Sequence, residues 1–212
     1  AVSAPIADLV TYRALPNNSI NHIDPFLFLN HHGYQVYPKN NHGLPFGPHP
    51  HRGFETVTFI LQGDLAHMDS SGSESVIEAG GVQWMTAGKG LVHAEVSSPE
   101  FKKNGAPLEI LQLWVNLPAK LKMTNPAYVG LQKSEIPEIS LDGGKVTIHC
   151  ISGNWAETKS AFTPLTDIQL ALLTLSPGGK WSTNIDAARN IFFYVVKGKV
   201  AINGSEAKIH QL

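Results

Sequence analysis

Residues that break helices are spread along this chain from end to end, and they confine regular structure to short segments. Nineteen glycines and fourteen prolines occur among 212 residues. The runs between them are β-branched and aromatic: Phe54 to Leu61, Val82 to Thr86, Leu91 to Val96 and the longer Leu108 to Leu117. Runs of this kind closed by glycine turns read as strands, so the chain is expected to be all-β. Pro25 to Leu29 is expected to be a buried strand ending at a turn, Asn30-His31-His32-Gly33. Residues 34–50 carry Pro38, Gly43, Pro45, Gly47, Pro48 and Pro50, and read as a long irregular loop.

Residues 119–138 are polar, contain Pro126 and Pro137, and read as a linker in which Ala119 to Met123 fits one helical turn. The linker separates an N-terminal β domain, 1–118, from a C-terminal one, 139–212. In the latter Val146 to Ser152, Leu170 to Leu175, Ile191 to Val196 and Val200 to Ile202 are the expected strands. Thr58 to Leu65 and Phe193 to Val200 share an apolar strand, a polar residue, Gly, a charged residue and a new strand, as two tandem β domains would. Only fourteen residues follow Gly198, whereas His93 lies thirty residues beyond Gly63, so the second domain is expected to be incomplete.

A hydrophobic fraction of 42% is enough for a sizeable core. Sixteen basic and seventeen acidic residues leave a net charge of -1, and 16% of residues are charged where roughly 25% is usual. No global field recruits nucleic acid or a membrane surface, and neither is an expected partner; Lys102, Lys103, Lys120 and Lys122 read as a solvated face. The N-terminus has no basic region followed by an apolar core, no run approaches the ~20 apolar residues of a membrane span, and the single cysteine, Cys150, has no internal disulfide partner. A cytoplasmic location is the expectation.

Ten histidines are the unusual feature. His49-Pro50-His51 stands where the long loop meets the first strong strand, and His93-Ala94-Glu95 follows forty-two residues later. In a strand, residues i and i+2 share a face, so each pair can present both side chains to one point. Three neutral imidazoles and a carboxylate suit a divalent transition metal, with positions left open for substrate or dioxygen. Glu55, four residues from His51, competes with Glu95 for the carboxylate role on spacing alone. His31 and His32 are adjacent and read as surface or turn residues. His22, His42 and His67 lack partner spacing and read as solvated or hydrogen-bonded; His149 and His210 stand alone, so the second domain is expected to hold no metal. Trp84 and Trp114 lie in strands and read as core.

His49-Pro50-His51-Arg52-Gly53-Phe54-Glu55-Thr56, followed by Gln83-Trp84-Met85-Thr86-Ala87-Gly88-Lys89-Gly90-Leu91-Val92-His93-Ala94-Glu95, resembles the pirin family, and Gln112 to Leu117 strengthens the match. The resemblance implies a bicupin: two double-stranded β-helix barrels in tandem, with one mononuclear metal, usually iron, in the N-terminal barrel. It implies His49, His51, His93 and Glu95 as ligands, most often to Fe(II), although nickel, copper, manganese and zinc suit the same donors. Glu55 then becomes a partner that orients a histidine, or the alternative proton acceptor to Glu95.

Pirins resemble quercetin 2,3-dioxygenases, so one implied activity is opening of the flavonol heterocycle with release of carbon monoxide. A phenolic flavonol and dioxygen would be the substrates, in a pocket lined by Phe54, Trp84 or Met85. The other implied activity is non-enzymatic: a metal- or redox-responsive regulator that acts on a protein partner.

Overall fold

The computed structural model describes residues 1–212. Contacts divide the chain into one unit formed by Ala1–Gly130 with Asn190–Leu212 and a second formed by Leu131–Arg189. In the first unit the chain runs through β1 (Val2–Ser3), β2 (Thr11–Leu15), β3 (Phe26–Val36), β4 (Phe46–His51), β5 (Phe54–Gln62), β6 (Asp64–Asp69), β7 (Glu74–Glu78), β8 (Val82–Thr86) and β9 (Leu91–Val96). The helix α1 (Pro99–Asn104), β10 (Pro107–Asn116) and β11 (Ala127–Leu131) follow. Two sheets result, in the orders β1-β2-β3-β10-β5-β8-β11 and β4-β9-β6-β7.

The two sheets face one another. Ile60 and Ile110 from the larger sheet, Leu65 and Ile77 from the smaller one, and Leu9, Leu44, Phe101 and Leu108 form one buried cluster. Each such side chain contributes about 1.5–3 kcal/mol of burial. The helix α1 closes one end. Ser98 caps it by accepting from the Phe101 amide at 3.0 Å while its hydroxyl donates to Asp64 at 2.5 Å, and Gly105 ends it at φ +68.

Three local expectations are corrected. The strand that opens at Phe26 continues through Asn30-His31-His32-Gly33 to Val36, because β2 and β10 supply ladder partners on both sides. His31 and His32 are therefore buried, at 1% and 3% exposure, rather than at a surface turn. Phe46 to His51 is a strand rather than loop: β4 is an edge strand paired only with β9, where Pro48 and Pro50 cost no second ladder. Residues 191–196 form no strand. Their side chains pack instead, Phe192 against Phe26 at 4.9 Å and Tyr194 against His31 at 5.7 Å.

The second unit holds β12 (Glu138–Leu141), β13 (Val146–Ser152), the hairpin of β14 (Asn154–Trp155) with β15 (Thr158–Lys159), and β16 (Leu170–Leu175). The order β12-β13-β16 makes its sheet, packed on Val146, Ile148 and Cys150. Within the first unit, β17 (Lys199–Ile202) and β18 (Ser205–Lys208) form a hairpin.

Candidate metal centre

His49 and His51 occupy alternate positions of β4 and project to one side of it. Antiparallel pairing of β4 with β9 sets His49 directly opposite His93. The three rings meet, with centroids 4.8 Å apart for His49 and His51, 4.5 Å for His49 and His93, and 4.9 Å for His51 and His93. One ligand atom from each lies within 4.8 Å of the others, a donor set that can hold a metal ion. Lys122 fixes the turn after His51: its ammonium donates to the Gly53 carbonyl at 2.9 Å and to Asn116 Oδ1 at 2.7 Å, so it is not part of a solvated face.

His93 tests whether a metal fits. The residue is buried, and neither of its ring nitrogens has a hydrogen-bond partner. A buried polar group left unsatisfied costs roughly 1–3 kcal/mol, and a coordinated cation would remove that cost at one nitrogen. Burial, followed by repulsion from His49, His51 and His67, pushes His93 down to about 3; burial and His49 push His51 down to about 4. Both rings are neutral at pH 7, with lone pairs available for ligation. His49 Nδ1–H donates to the Gly47 carbonyl at 2.7 Å, which leaves Nε2 as its donor toward the cluster.

Glu95 follows His93 by two residues and is buried with it. The carboxylate bridges the two sheets: Oε1 accepts from the Thr58 hydroxyl at 3.1 Å and Oε2 from the Gln112 amide at 2.6 Å. Burial raises its proton affinity, and those two hydrogen bonds and His49 oppose the rise. Glu55 goes elsewhere. It accepts from the Thr86 hydroxyl at 2.6 Å, and its odd spacing from Thr58 places the two on opposite faces of β5. Burial raises Glu55 too, against hydrogen bonds from Thr86 and Trp84.

One side of the cluster is aromatic. Phe54 lies 5.0 Å and Trp114 5.3 Å from the His51 ring, Phe54 and Trp114 meet at 4.8 Å, and Phe28 stacks on Trp114 at 4.4 Å. Trp114 is thus part of the wall of the site as well as of the packing. Met85 sits with Ala87 and Leu91 in a small buried cluster against Tyr128.

A second pair stands beside the first. His67 and Asp69 on β6 are opposite Glu95 and His93 on β9, and His67 Nε2 lies 2.9 Å from Asp69 Oδ2. His67 stacks on Tyr128 at 3.8 Å and reaches within 5.4 Å of His93. Burial would raise Asp69, but hydrogen bonds from His67, Ser71 and Ser73 outweigh it and hold the carboxyl at about 2. The i, i+2 spacing of His67 and Asp69, the same as in His-Pro-His, was the available signal for this pair. On the remote face of β3 His31 bridges Glu109 at 2.9 Å and Tyr194 at 3.1 Å, while His32, on the opposite face, meets the Thr11 hydroxyl at 2.9 Å. His22 and His42 are exposed.

Comparison with known proteins agrees with this fold. The family model described as Pirin matches residues 8–115, more than half of the chain. A pirin-like protein of Arabidopsis thaliana is 39% identical over 190 residues, 89% of this chain and 58% of its own length. The chain therefore spans about three fifths of that relative. A crystal structure of quercetin 2,3-dioxygenase from Acinetobacter baumannii superposes with a TM-score of 0.85 at 33% identity, covering 95% of this chain and 70% of that one. The bacterial pirin YhhW of Escherichia coli, solved in complex with nickel(II), shares the fold with a TM-score of 0.65 at 21% identity, over 98% of this chain and 82% of its own. The all-β architecture is that of the bicupins. This chain belongs to the pirin family.

Proposed function

We propose that this chain is a metal-dependent dioxygenase that opens the heterocycle of flavonols such as quercetin. His49, His51 and His93 would hold a divalent metal, iron(II) before nickel, copper, manganese or zinc, with Glu95 as fourth donor and proton acceptor. The observation that carries the reading is His93, buried with both nitrogens unpartnered and facing two further imidazoles. Further support is the likeness to a structure named as a quercetin 2,3-dioxygenase.

A bound transition metal supplies Lewis acidity toward a phenolic hydroxyl and redox exchange with dioxygen. The chain supplies position, dryness and a base. Phe54 and Trp114 beside His51 lean against each other and form an apolar wall along which a planar flavonol lies and water is excluded. Glu95, held in one orientation by Thr58 and Gln112, takes the 3-hydroxyl proton on a carboxylate oxygen. Glu55 keeps the opposite face of β5 and supports the sheet through Thr86.

The test is oxygen uptake with quercetin by anaerobically iron-loaded protein beside a His49→Ala, His93→Ala double variant of known metal content. Uptake with release of carbon monoxide by the parent alone supports the proposal. A parent that holds iron and consumes no oxygen overturns it, and capture of partners by oxidised and reduced protein becomes the next experiment.

A further inference from the structure

Arg13, on β2, ends the aromatic wall. Its guanidinium lies 4.8 Å from the centre of the Phe28 ring, Phe28 stacks on Trp114 at 4.4 Å, and Trp114 meets His51 at 5.3 Å. The wall runs without a break from an imidazole of the cluster to a fixed positive charge. Strand register produces the alignment. Arg13 stands opposite Asn30 on β3, Asn30 stands opposite Gln112 on β10, and Gln112 bonds Glu95. The three side chains form one polar row across the face of the sheet that looks toward the histidines.

The guanidinium is oriented but not neutralised. Arg13 Nε donates to Asn30 Oδ1 at 3.1 Å, which orients the guanidinium and leaves its two terminal amino groups unpaired. The ion pairs of the structure are His31–Glu109, His67–Asp69, His149–Glu138, Arg189–Asp167 and the contacts of Lys199 and Lys208 with Glu206. None includes Arg13. A half-buried arginine held rigid, with its fork unpaired, matches the geometry of a carboxylate or sulfonate.

We propose that Arg13 is the specificity-determining residue of the pocket. It receives an acidic substituent at the far end of a planar aromatic ligand whose near end reaches His49, His51 and His93. The inference rests on the aromatic-substrate reading of the same site and narrows the class from flavonols in general to anionic polyphenols. Phe28 and Trp114 line the path of the rings, and Arg13 sets which end enters first.

Zinc-loaded protein, kept anaerobic so that no dioxygen is available for turnover, is titrated with quercetin and with quercetin bearing an aryl sulfonate, and quenching of tryptophan fluorescence reports binding. The parent is expected to bind the sulfonate about tenfold more tightly than the neutral flavonol. Arg13→Gln brings the ratio of affinities close to one, and Arg13→Lys restores part of it. Zinc content confirms that each variant is folded. A parent with no preference, or a preference that survives Arg13→Gln, overturns the proposal.

Naphthalene-2-sulfonate, an aromatic anion without the flavonol hydroxyl, separates the two readings. If it binds in an Arg13-dependent way while neither flavonol binds, the anion site stands and the flavonol reading falls. If both flavonols bind equally, the flavonol reading stands and the role of Arg13 falls. Binding of none of the three overturns both.

Discussion

His93 shows at the scale of one residue how a site trades stability for chemistry. Its two unpartnered ring nitrogens burden the metal-free protein, so His93→Leu, which fills similar space with no polar atom, is expected to raise the stability of the metal-free form by roughly 1–2 kcal/mol. Metal binding should be lost in the same variant. Urea unfolding beside metal analysis checks both, and a destabilised metal-free variant contradicts this view of His93.

Protonation follows from the same burial. His32 and His51 are held near 4 and His93 near 3, against an ordinary 6.5, and His31 and His67 shift the same way. As pH falls through about 6.5 the unfolded chain takes up protons at these positions and the folded chain does not. Their contribution is therefore complete above 6.5 and is lost progressively toward 4. Glu55 and Glu95, both raised by burial, act in the opposite sense but are outnumbered. Metal-free protein should show a lower urea midpoint at pH 5 than at pH 7.5; a higher one would contradict the account.

At the scale of elements, the centre depends on how β4, β8 and β9 are joined. Gly88, between β8 and β9, has φ +50, and a Cβ there would collide with the Thr124 carbonyl. Gly88→Ala should cost roughly 2–3 kcal/mol and lower metal affinity by shifting His93 out of register with His49. Thermal unfolding and metal titration read the two effects.

The sequence made part of this visible. The two i, i+2 pairs pointed to His49, His51 and His93, which the strands bring together, because strand periodicity is local, while Glu95 of the second pair is bonded to Thr58 and Gln112 and stands outside that donor set. The strand character of β4 was hidden, since an edge strand tolerates prolines that a sequence reading takes for loop. Burial of His31 and His32 was hidden too, because it depends on β2 and β10, distant in sequence. Arg13 carried no motif at all; its place beside Phe28 comes from register alone.

At the scale of the whole molecule, the histidine cluster lies in one unit and Cys150 in the other. Cys150 is buried, and burial raises its thiol, so alkylation of the native protein should be slow. Because its labelling reports opening of the 131–189 unit, Cys150 should become reactive in denaturant without loss of metal if that unit opens by itself. Simultaneous labelling and metal release would show that the two units unfold together. No helix is long and apolar enough to cross a membrane.

Metal stoichiometry after anaerobic iron loading and gel filtration, for the parent and for single alanine variants of His49, His51 and His93, tests most directly whether the three histidines hold the metal. Close to one iron per chain is expected in the parent and little in each variant. Equal iron in the parent and all three variants would place the metal away from the three histidines.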